Sequence, residues 1–79
     1  MKNYSNLSAA GMQFRAMFPG VVPENGTTEQ WLRLMRLAFE TQNDLVDLSK
    51  RHTPASRRWE RIGDEAQARA AAAKRLIAA

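Results

Sequence analysis

The sequence predicts an all-α fold: a small three-helix domain built on a long antiparallel helical hairpin. Three observations predict it. Apolar residues recur at spacings of three and four over two long stretches, about 28–52 and about 54–78. Only a threonine separates those stretches, and so short a connection folds neighbouring helices back on each other. The dipeptide Asn25-Gly26, a turn signal, is not followed by a pair of strands, so it does not mark a β-hairpin.

A short helix over about 7–18 comes first, after a loose end from Met1 to Asn6 in which Ser5 or Asn6 serves as N-cap. Tyr4, Leu7, Ala10, Phe14, Met17 and Phe18 fall near one face. Gly11 lies on the same face, where the missing side chain lets another helix approach. So short a helix is marginal alone and forms only if that face docks. Ala9, Met12 and Ala16 lie near the other face and read as surface scatter. Pro19-Gly20 ends the helix, and Val21 to Gly26 is a loop whose Val21-Val22 pair plugs the end of the bundle.

The central helix opens with a capping box, in which Thr27 and Gln30 satisfy each other's backbone N–H groups. Trp31, Leu32, Leu34, Met35, Leu37, Ala38, Phe39, Leu45, Val46 and Leu48 then cover an arc of about 220°. Arg33, Arg36, Glu40, Asn43, Asp44 and Asp47 form the remaining polar ridge. An arc this wide has to be covered from two sides, which makes this helix the centre of the fold. Gln42 interrupts the arc. It is a core amide with satisfied hydrogen bonds, an amide at a leaky helix seam, or a polar contact that sets register across a symmetric interface. The helix stops at Lys50-Arg51-His52, whose positive charge suits a helix C-terminus.

Thr53-Pro54 restarts the chain as N-cap and first helical residue. The apolar positions Ala55, Trp59, Ile62, Ala66, Ala70, Ala73 and Ile77 carry one helix to about residue 78, with a possible kink at Gly63-Asp64. Its stripe is narrow and rich in alanine, which favours helix and close packing. Folding at Thr53 brings Asp47 towards Arg58 and Asp44 towards Arg61, and within the helix Arg61–Glu65 and Glu65–Arg69 stand four apart.

At 79 residues the chain is read as one domain spanning 1–79, burying about 60–65% of its unfolded surface. The absence of cysteine excludes disulfides, thiolate metal sites and cysteine catalysis. No run approaches the roughly eighteen apolar residues that cross a bilayer, and the last helix lacks the large apolar face of an interfacial helix, so no membrane association is expected. The start, MKNYSNLSAAG, is too polar for a signal peptide, which points to a cytoplasmic protein.

Catalysis finds little support. The single histidine, His52, has no cysteine or Ser–Asp pattern beside it, and Glu40, Asp44 and Asp47 lack further ligands for a cation. With no glycine-rich phosphate loop either, the chain is expected to be no enzyme and to need no cofactor, metal or small-molecule substrate.

Two partner classes remain. The hairpin tip, with Lys50, Arg51, Arg57 and Arg58 followed by Arg61, suits nucleic-acid phosphates. The apolar arc exceeds what the other two helices cover, leaving Leu34, Leu37 and Leu48 on one flank and Leu32, Phe39 and Val46 on the other. The short helix covers one flank along part of its length, and Leu34, Leu37 and Leu48 are the residues expected to meet another protein or a second copy, as in a four-helix bundle about a twofold axis. The expected function is a non-catalytic protein-interaction module: an adaptor, an assembly subunit, or a small inhibitor of the kind phages and mobile elements encode.

Overall fold

The computed structural model describes residues 8–78. Three helices, α1 (Ala9–Met17), α2 (Thr28–Ser49) and α3 (Pro54–Ala78), follow in order, with a 3-10 turn over Pro23–Asn25 before α2. The all-α class and the α2–α3 hairpin are as the sequence predicts. Tyr4 and Leu7, and the N-caps placed at Ser5 or Asn6, lie outside the described residues. The residue that caps α1 is Ser8, whose Oγ accepts from the Gly11 N–H at 3.0 Å.

At α2 the capping box forms as expected. Gln30 N–H donates to Thr27 Oγ1 at 3.1 Å, and Thr27 N–H donates to Gln30 Oε1 at 2.9 Å. The helix ends at Ser49, short of the expected residue 52, because Lys50 turns left-handed at φ 62° while its N–H still donates to the Val46 carbonyl. A non-glycine residue in that region costs about 1 kcal/mol, so the tight turn is held by what surrounds it. The Ser49 hydroxyl lies 2.8 Å from the Leu45 carbonyl oxygen and 2.6 Å from that of Arg51, tying the turn to the last turn of α2.

Thr53 caps α3 as predicted, but its partner corrects the assignment of the buried stripe. Ser56 N–H donates to Thr53 Oγ1 and Thr53 N–H donates to Ser56 Oγ, a second reciprocal cap with serine in the third helical position. Ser56 is therefore buried and its hydrogen bonds are met, while Ala55 is exposed. At Gly63 there is no break: α3 runs unbroken, and the Phe39 ring of α2 lies directly against that glycine.

The core consists of Ala10 and Phe14 from α1, Trp31, Leu34 and Ala38 from α2, and Ile62, Ala66 and Ala70 from α3. Alanine at 66 and 70 lets the two long helices close on each other, as the sequence suggested. Phe14 stacks on Trp31 with ring centroids 4.3 Å apart, and Phe18 tilts against Phe14 at 4.9 Å. The end of the bundle is plugged by buried Pro23 and half-buried Val21; Val22, expected to share this role, points outward. Ile77, expected in the stripe, is exposed along with Leu76 at the far end of α3.

The interhelical ion pairs differ from expectation. Among the described residues Asp47–Arg58 and Asp44–Arg61 do not close to 4 Å, and neither does Arg61–Glu65; Arg69–Glu65 does, at 3.0 Å. Glu65 is instead drawn into a three-helix contact. Ser8 Oγ donates to its Oε2 at 2.7 Å and Arg69 Nε to the same oxygen, while the Arg69 guanidinium sits 5.0 Å from the Trp31 ring centroid. This network fixes where α1 begins along the hairpin.

Candidate protein-interaction site

The position of α1 follows from its two ends. Ser8 is bonded to Glu65, near the middle of the hairpin, since Phe39 faces Gly63 at about that level. Phe14 then reaches Trp31, and Phe18 borders Thr27, Gln30 and Arg33 at the start of α2. So α1 lies over the half of the hairpin away from the turn. It has nine residues against the 22 of α2. No described helix covers the other half, from about Ala38 to the turn, a length of about 17 Å.

This geometry sorts the leucines that the sequence offered as a partner surface. Leu34 lies under α1 and is 0% exposed, so it belongs to the core and is not available to a partner. Leu37 is 36% exposed and Leu48 is 83% exposed. Leu37, Thr41, Leu45 and Leu48 continue, at spacings of three and four, the row that Leu34 begins beneath α1. Leu45 was not singled out from the sequence, yet it is the half-buried floor of the uncovered stretch. On the other flank Leu32, Phe39 and Val46 are each half-buried; Leu32 lines a shallow groove with Thr28, Gln67, Ala70, Ala71 and Lys74.

Gln42 is also half-buried, which suits an amide at a helix seam better than a fully buried core group. Trp59 is half-buried and packs against the core, as its place in the α3 stripe implied.

The basic tip is where the sequence put it. Lys50, Arg51, Arg57, Arg58 and Arg61 are all exposed, and among the described residues none lies within 4 Å of a carboxylate. His52 is exposed, with Nδ1 3.5 Å from Ser56 Oγ. On α3 the row Arg69, Glu65, Ile62 that borders α1 continues towards the tip as Arg58. The stretch thus carries Leu37, Leu45 and Leu48 on α2 together with the exposed carboxylates of Glu40, Asp44 and Asp47, and exposed Arg58 on α3.

No group of three or more His, Cys, Asp or Glu side chains that could hold a metal ion occurs among the described residues. None of their helices is long and apolar enough to cross a membrane. Protein-family models, curated proteins and solved structures were compared with the chain. None matches it.

Proposed function

We propose that this protein is a non-catalytic interaction module that binds another protein on the uncovered half of its hairpin. The observation that carries the reading is the mismatch in helix length. Among the described residues a third helix covers one half of the α2–α3 seam and leaves Leu37, Leu45 and Leu48 in a continuous row on the other. An apolar row beside desolvatable charges is the usual composition of a docking surface, with an apolar centre and a polar rim.

A photo-crosslinking amino acid at Leu37 or Leu48 tests this in cells that encode the protein. A discrete protein adduct is expected at both positions and none at exposed Ala68 on the far side of α3. Leu37→Asp is expected to weaken that complex at least roughly tenfold, about 1.4 kcal/mol, while circular dichroism stays helical. Adducts distributed equally over all three positions, or a complex untouched by Leu37→Asp, would defeat the proposal.

A second reading rests on the five exposed cations of the tip, which no described carboxylate neutralises: contact with nucleic-acid phosphates. On that reading, the double variant Arg57→Glu, Arg58→Glu abolishes binding to mixed-sequence DNA or RNA in an anisotropy titration at about 50 mM salt. Equal binding by wild type and variant would exclude the tip. The exposed leucines favour the protein partner, since phosphates make no use of them.

A further inference from the structure

We infer that the segment Met1 to Leu7 of this chain, which lies outside the described residues, seats on the row Thr41, Leu45 and Leu48 and keeps the interaction face closed until a partner displaces it. What the segment gates rests on the interaction reading above; where it seats does not.

Ser8 is the anchor. Its Oγ accepts from the Gly11 N–H and donates to Glu65 Oε2, which pins the start of α1 near the middle of the hairpin. From there α1 runs away from the turn, since Phe14 stacks on Trp31 near the start of α2. Ser8 itself is extended, with φ −70° and ψ 166°, so helix α1 does not continue backwards through it. A chain that prolongs the line of α1 back beyond Ser8 passes over the half that no described helix covers.

Length and chemistry fit that path. Seven residues precede Ser8. Extended, they reach up to about 23 Å, more than the roughly 17 Å of seam ahead of them. Tyr4 and Leu7 bring two large apolar side chains to a row in which Leu45 is half-buried and Leu48 is 83% exposed. Lys2 is the only charged side chain of the segment. The row is bordered on α2 by exposed Glu40, Asp44 and Asp47, with exposed Arg58 on α3, so carboxylates outnumber cations along it and suit a lysine.

Tethering decides between occupants. A segment joined to Ser8 meets the row at an effective concentration of about millimolar, which a second copy or a foreign protein in dilute solution does not match. Two apolar side chains and one lysine make a weak contact in themselves, and the tether lets that contact close the row. A partner with a larger apolar face then displaces it.

Thiol protection in the full chain, which has no cysteine of its own, tests the seat. The thiol of Thr41→Cys is expected to react roughly tenfold faster once Tyr4→Ser and Leu7→Asp are added, a difference of about 1.4 kcal/mol. Ala68→Cys, on the far side of α3, should react at one rate in both backgrounds. Equal rates for Thr41→Cys in the two backgrounds overturn the inference. So does protection that rises with protein concentration, which assigns the row to a second copy. The gate is read with the photo-crosslinking amino acid at Leu37, where Tyr4→Ser with Leu7→Asp should raise the apparent affinity for the partner by the same roughly tenfold factor. A partner adduct without thiol protection overturns the seat and leaves the interaction face standing. Thiol protection without any partner adduct keeps the seat but removes the interaction face, and the gate with it.

Discussion

Replacing Phe14 by alanine is expected to cost about 3–5 kcal/mol, the range for deleting a fully buried aromatic side chain. Phe14 is 0% exposed and is the main side chain through which α1 holds the hairpin: its ring stacks on Trp31 and touches Phe18. Nine residues cannot keep a helix in water without tertiary support, because nucleation is unfavourable and few hydrogen bonds follow it. A chain of this size has a total stability of about 4–12 kcal/mol, so the loss takes a large share of it. Two readouts check the result. The urea midpoint should fall steeply, and the Trp31 indole, freed from its buried site, should emit at longer wavelength. A loss below about 1 kcal/mol, with amide protection of α1 unchanged, would show that Ser8–Glu65 and not the aromatic stack holds α1 in place.

The legible part of this fold was whatever local chemistry decides. The Thr27–Gln30 box, Thr53 as a cap, Pro54 at the start of α3 and the alanine spacing of α3 each act within a few residues, and each is found in place. What went astray depended on where helices begin relative to one another. Ala55 and Ser56 are neighbours in sequence and stand about 100° apart around the helix, so only one of them can face the core. Choosing the hydrophobic one was reasonable, but the cap needed a hydroxyl at the third position and that side chain faces inward. Lys50 carries no sign in the sequence that it turns left-handed, since that conformation usually falls to glycine or asparagine.

The proposed interaction face shows the same division. The excess of apolar arc on α2 was readable, and so was the incomplete cover by a short helix. Which leucines remained open was not, because Leu34 and Leu37 differ by less than one turn and only the docked position of α1 separates them. That position is set by Ser8 and Glu65, residues 57 apart in sequence with nothing local to link them. The expected pairs Asp44–Arg61 and Asp47–Arg58 failed for a related reason. All four side chains are exposed, where an ion pair contributes too little to hold two long side chains in one geometry.

A sign reversal at Gly63 offers the sharpest check on how α2 and α3 meet. In an exposed helix Gly→Ala stabilises by about 1 kcal/mol through helix propensity. At Gly63 a Cβ would stand 2.5 Å from the Phe39 ring, with two more ring atoms at 2.8 Å. The helices must then separate or the ring must leave its place, and overpacking of this kind costs about 1–3 kcal/mol. Gly63→Ala is therefore expected to destabilise the wild-type chain. With Phe39→Ala as background the obstruction is gone, and the same Gly63→Ala change should stabilise by up to about 1 kcal/mol. A double-mutant cycle by urea denaturation measures both arms, and the coupling between them reports the contact itself. If Gly63→Ala stabilises both backgrounds equally, Phe39 does not seat on Gly63. The seam would then owe its closeness to Ala66 and Ala70 alone, and the level at which the uncovered half begins would have to be placed anew.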